Sequence, residues 1–184
     1  MRPLSISARS VALAVMLTGS APGPIAASHG APAAKTPPPY TNKREGFAIS
    51  LPGKPKAGSR VATFPNGKKA KANFYSVVKA PLTYIVIPVQ LPGTPKGVQI
   101  DQFLDGVQRG YTRRAGIKVL SSKKMSLQGY PGREVLLQAG ANLTRIRYFV
   151  AGSRSFQVLA ISPQNGADKY RAQINKVLDS FRIL

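Results

Sequence analysis

Residues 145–163 read RIRYFVAGSRSFQVLAISP. Two runs rich in aromatic and β-branched residues flank Gly152-Ser153, which is the pattern of two antiparallel strands joined by a tight turn. Side chains alternate across a strand, so Arg145, Arg147 and Phe149 fall on one face, with Arg154 just across the turn. The same punctuation recurs upstream. GFAISL (46–51) puts Phe47, Ile49 and Leu51 on one face and ends at Pro52-Gly53. Strands at 59–64 and 69–78 flank Pro65-Asn66-Gly67, and Asn-Gly is a strong hairpin signal. LTYIVIPV (82–89) is the most apolar strand and reads as central, with Pro88 at its end or at an irregularity. Strands at 119–127, 133–138, 143–151 and 154–162 follow, with a turn at Gly129-Tyr130-Pro131-Gly132.

Two segments switch to the helical period. Ile100, Phe103, Leu104, Val107 and Tyr111 make the first apolar stripe, with Asp101 and Asp105 near its start and Arg109, Arg113 and Arg114 near its end. Both placements suit the helix dipole. Gly116 stops this helix, and Gly106 and Gly110 allow it close to a sheet. Tyr170, Ile174, Val177, Leu178 and Phe181 make the second stripe, with Asn165 as the expected N-cap. Strands joined mainly by hairpins, plus two amphipathic helices that need a surface to cover, predict an α+β domain with a mainly antiparallel sheet.

The run from Phe47 to Leu184 resembles small exported bacterial domains related to the PsbP-like fold. The resemblance rests on GFAISLPGKPK (46–56), FLDGVQRG (103–110), GYPGREV (129–135), the hairpin at 145–163 and LDSFRIL (178–184). It implies an α-β-α sandwich. It also implies a binding or assembly domain without catalysis, and it carries over no catalytic or ligand residue.

The first 27 residues have the three parts of a secretory signal: Arg2 and Arg9, the apolar run VALAVML (11–17), and a small-residue stretch ending Ile25-Ala26-Ala27. The apolar run stops at Thr18, short of the ~20 residues a membrane span needs. Residues 28–44, SHGAPAAKTPPPYTNKR, have no hydrophobic period and read as an extended Pro-rich tether. Its Pro-Pro-Pro-Tyr matches a WW-domain ligand by coincidence. Residues 45–184 are then one domain.

Composition excludes much. Among 184 residues there are 27 Lys and Arg, 6 Asp and Glu, one histidine and no cysteine, for a formal charge of +21. Disulfides, thiolate catalysis and Cys-bound metals are ruled out. His29 serves a metal only if the mature chain starts at Ala27, when Ala27-Ser28-His29 forms an amino-terminal Cu(II) or Ni(II) site. Otherwise no metal and no cofactor are expected. Asp101 and Asp105 share a helix face, but helix-end electrostatics and an Asp105–Arg109 pair account for them. Glu134 reads as a structural ion-pair partner. Ser121 and Lys124 have Ser-Lys hydrolase residue types but face opposite sides of a strand. No phosphate-loop, dinucleotide or calcium-loop pattern occurs.

The charge is the main anomaly. Ten Lys and Arg lie between Lys43 and Lys96, against one acid, Glu45. Lys68, Lys69 and Lys71 adjoin Phe74 and Tyr75. Together with Arg145, Arg147 and Arg154 they are the candidate anion-binding residues. The expected function is a non-enzymatic, exported binding or assembly module of the cell envelope, its partner an envelope protein. The alternative is a binder of anionic polymers (glycan, lipid headgroups or, less favoured, nucleic acid) through a basic face.

Overall fold

A computed structural model describes residues 38–63, 69–113 and 115–184. The expected signal segment, most of the tether, His29 and the Asn-Gly turn lie outside the described residues.

Twelve elements are described. In chain order they are β1 (Tyr40–Asn42), β2 (Phe47–Ile49), β3 (Lys56–Thr63), β4 (Lys69–Lys79), β5 (Leu82–Gln90) and α1 (Val98–Thr112). After these come β6 (Ile117–Leu127), β7 (Tyr130–Ala139), β8 (Asn142–Ala151), β9 (Arg154–Pro163), α2 (Ala167–Asp179) and β10 (Arg182–Ile183). Seven strands form one antiparallel sheet in the order β3-β4-β5-β9-β8-β7-β6, and β1-β2-β10 form a second, small one.

Strand alternation divides the core in two. On one face of the large sheet, Ile85, Ile87, Leu137, Ile146, Tyr148 and Leu159 pack under Leu104, Val107 and Tyr111 of α1. On the other, Tyr84, Val86, Phe149, Phe156 and Val158 pack under Ile174, Val177 and Leu178 of α2, and against Phe47, Ile49 and Ile183 of the small sheet. The Phe181 ring joins these layers, with centroids 6.1 Å from Phe47, 6.1 Å from Phe149 and 5.8 Å from Phe156. This is the α+β sandwich the sequence predicts.

Several local expectations are corrected. The folded part starts before residue 45: Tyr40–Asn42, assigned to the tether, pairs with β2, because the Tyr40 ring finds Phe47 and Tyr75, each at 6.0 Å. Interior β5 sits beside the middle strand, β9. Pro88 lies in a ladder with Phe156, yet the β4–β5 ladder ends at Tyr75↔Val86, so the proline sits where β5 has one neighbour. The turn before β7 is tighter than expected, since Tyr130, Pro131 and Gly132 already belong to the strand. At α2 the N-cap is Gly166, at φ +76°, rather than Asn165, and no side chain caps the helix.

Candidate functional site

Three strands place a charged ladder on the α2 face. Lys123 of β6, Glu134 of β7 and Arg147 of β8 are direct register partners. Arg147 donates from Nε to Glu134 Oε2 at 2.6 Å and from Nη1 to Asp179 Oδ1 at 2.6 Å. Lys123 Nζ approaches Glu134 Oε1 at 3.1 Å, and Arg145 Nη1 is more distant at 3.4 Å. Glu134 is only 6% exposed. Burial pushes its carboxyl up. Hydrogen bonds from Arg147 and Lys123, with the charges of Arg147 and Arg145, more than offset that and hold it below its ordinary value. The carboxylate stays ionised, in the structural pairing its sequence context predicts.

On the α1 face the two helix aspartates are also engaged. Asp105 pairs with Arg133 at 2.6 Å, not with Arg109, and Asp101 pairs with Lys124 at 3.1 Å. Gln108 Oε1 accepts from Ser122 Oγ at 2.9 Å and from Arg133 Nη1 at 3.0 Å. Arg133 reaches α1 from β7 because register, not sequence proximity, sets these distances. The Tyr111 hydroxyl donates to the buried Gln157 side chain, and burial, then the charge of Tyr148, raises the Tyr111 hydroxyl's pKa. Ser121 and Lys124 do face opposite sides: Lys124 meets α1, whereas Ser121 is opposite Leu136 on the α2 face.

The remaining carboxylates are committed too. Glu45 Oε1 accepts from Asn73 Nδ2 at 2.6 Å, Asp168 pairs with Arg171, and Asp179 with Arg147. All six acids of the chain therefore have a partner. The Asp101, Asp105, Asp168 and Asp179 side chains remain exposed within their pairs, and Glu134 is the buried one.

The structure divides the candidate basic residues. Arg145 runs level with Ala160, Tyr84 and Val77 across four strands. Lys71 lies six residues further along β4, about 20 Å along the strands, with β5 and β9 between. Arg154 lies at that far end of β9, its guanidinium against Gly46. Arg147, with its side chain 12% exposed, is tied by two carboxylates. Lys68 and the Lys69 side chain fall outside the described residues. Among the described candidates only Arg145 and Arg147 come together, and Arg145 is the freer of the two.

Beside Arg145 is a cleft of about 270 Å³ between the start of α2 and strands β7, β8 and β9. Leu136, Ala160 and Ser162 form its floor, and Arg145, Arg171 and Ile174 rise around it. Ala160, Ser162 and Ala167 are the small side chains of its lining. Sequence reasoning missed Arg171 and Ser162. The available signal was the pair of small residues, Ala160 and Ser162, following Phe156 and Val158 on the same face of one strand.

No protein-family model matches the chain, and no curated protein matches it by sequence. Solved structures do match. The solution structure of cyanobacterial PsbP (CyanoP) from Synechocystis sp. PCC 6803 superposes with a TM-score of 0.55, covering 86% of this chain and 98% of that one at 11% identity. The fold is PsbP-like. At that identity the likeness is one of fold alone. A crystal structure of a Pseudomonas aeruginosa protein of unknown function, titled a putative regulator, is also similar, with a TM-score of 0.44 and 7% identity over 62% of this chain and 90% of that one. In this PsbP-like sandwich, the charged ladder and the cleft share the α2 face, and Arg145 stands between them.

Proposed function

We propose that this chain is an exported, non-enzymatic binding module of the cell envelope, with the α2 cleft as its ligand-binding surface. The observation that carries the reading is the pairing of all six carboxylates. Together with the absence of cysteine, and of histidine after residue 29, it leaves a concave surface of mixed polarity with no acid–base or nucleophilic constellation beside it. Export rests on the tripartite first 27 residues. Among the described residues no helix is long and apolar enough to cross a membrane. The polymer-binding alternative is less well served, because Lys71 and Arg154 lie far from Arg145.

Affinity capture from envelope extract at low and at physiological salt tests this reading. The expected result is a partner or ligand retained at physiological salt and lost when Ser162→Leu fills the cleft. Retention of polyanions alone, released near physiological salt, favours the polymer alternative and overturns the module reading. Intact mass of the exported protein tests the signal: a chain still beginning at Met1 rules export processing out.

A further inference from the structure

On the reading of the α2 cleft as the ligand site, we propose that it takes a small organic carboxylate. The apolar body lies on Leu136, Leu143 and Ile174. The anionic end is held by Arg145, Arg171, the Ser162 hydroxyl and the start of α2.

Four observations converge. Arg145 has one long contact, 3.4 Å to Glu134 Oε1, and that carboxylate is already taken by Arg147 and Lys123. The rest of its guanidinium fork is available, and a fork of parallel N–H groups matches a planar carboxylate. Ser162 is 4% exposed, lines the cleft, and makes no side-chain hydrogen bond to any described residue. Its hydroxyl opens on the cleft, where a ligand oxygen can accept from it in place of water. The start of α2 borders the cleft at Ala167 and Asp168 and has no side-chain cap; its Ala167 and Lys169 amides bond the Gln164 and Gly166 carbonyls, so it contributes mainly the positive end of the helix dipole. Lastly, Arg171 is paired with Asp168, an exposed carboxylate that an incoming one can replace.

The charge balance selects the class of ligand. Two guanidiniums meet one resident carboxylate, Asp168, and a share of Glu134, which leaves room for one negative charge but disfavours two. The volume of about 270 Å³ falls just below the usual range of ligand pockets, roughly 300–1,000 Å³, so the ligand is small. Leucine and isoleucine on its walls call for an apolar body rather than a bare ion.

The test is calorimetric titration of the full-length chain with benzoate and with hexanoate at physiological salt. Benzyl alcohol and inorganic phosphate are the comparators. Saturable binding of at least one acid is expected, with the alcohol weaker by about tenfold, as the loss of a charge-assisted pair implies. Arg171→Gln, at an exposed position that tolerates change, should weaken binding about tenfold. Ser162→Leu should abolish it. Asp168→Asn should tighten it several-fold by removing the competitor for Arg171, an effect a merely structural role does not produce. No saturable binding of either acid, equal binding of phosphate, or indifference to both Arg171→Gln and Ser162→Leu overturns the proposal. If the acids fail while an envelope partner is still captured at physiological salt, this inference falls and the binding-module reading stands.

Discussion

The Gln128 side chain pairs with the Ile183 backbone as a strand would. Its Nε2 donates to the Ile183 carbonyl at 3.0 Å, and its Oε1 accepts from the Ile183 amide at 2.8 Å. Gln128 is also the one described non-glycine residue with a positive φ, +52°. Left-handed backbone costs about 1–2 kcal/mol, and two hydrogen bonds return about 1 kcal/mol each. Gln128→Ala keeps the strain and loses the bonds, so it is expected to cost about 2 kcal/mol. Gln128→Gly relieves the strain and should cost about half as much. In both, amide exchange at Ile183 should accelerate. Unchanged protection there would show that β10 is held by β2 alone.

Gly132 lies opposite Phe149 across β7 and β8, and the phenyl ring rests over it. An added Cβ would meet that ring and come within 2.6 Å of the Tyr148 carbonyl oxygen. Gly58 and Phe74 repeat the arrangement across β3 and β4, but there the neighbouring atoms belong to the far end of the ring. Gly132→Ala is expected to destabilise by about 1–3 kcal/mol, and Gly58→Ala by less, since only ring atoms and no backbone oxygen stand in its way. Urea unfolding of the two variants checks the order.

Removing one partner from a buried ion pair costs about 3–5 kcal/mol. Glu134→Gln keeps the shape and part of the hydrogen bonding to Arg147, so a loss of about 2–3 kcal/mol is expected. Arg147→Gln should do as much, because it strands Glu134 in a site 6% exposed. Chemical denaturation at neutral pH measures both. A loss under about 0.5 kcal/mol, the size of an ordinary surface change, would mean that Lys123 and Arg145 suffice.

The same carboxylate sets an acid limit. Its folded pKa lies below the ordinary 4.5. The stability it contributes is fully present above the unfolded value and is lost as pH falls through the folded one. Stability of the wild type should therefore fall from about pH 4.5 downward, and the fall should be shallower in Glu134→Gln. Identical slopes in the two proteins would assign the acid transition to the other five carboxylates.

The divided basic surface predicts weak, unspecific attraction to polyanions. Heparin binding should disappear near physiological salt. Changing Lys68, Lys69 and Lys71 together to Gln should weaken it no more than three scattered lysine changes do. A selective loss in the clustered variant, measured by salt-dependent titration, would restore a dedicated basic site.

How much was legible in the sequence follows range of interaction. The stripe of Leu104, Val107 and Tyr111 and the alternation of Phe47, Ile49 and Leu51 are local patterns, and all six side chains are buried. The resemblance at 46–56, 129–135 and 145–163 led to the PsbP-like fold that structural comparison supports. Partner choice was not legible. Asp105 finds Arg133, twenty-eight positions away, because β7 runs beneath α1, and nothing in the i,i+4 spacing to Arg109 announces it. Tyr40 looked like tether because its neighbours are Pro, Thr and Asn; only the aromatic rings of Phe47 and Tyr75 make it part of the fold. The cleft was hidden for the same reason, since Arg145, Ser162 and Arg171 come from three elements.

β2 takes one neighbour from just before it and the other, β10, from the last residues of the chain. The small sheet therefore cannot close before residues 182–183 have been made. Until Phe181 and Ile183 have left the ribosome, Phe47 and Phe149 lack the ring that stacks on both. A nascent chain stays open on that side until then. Closure of that side is therefore the late event of this fold's assembly, because it waits on residues more than a hundred positions beyond Phe47.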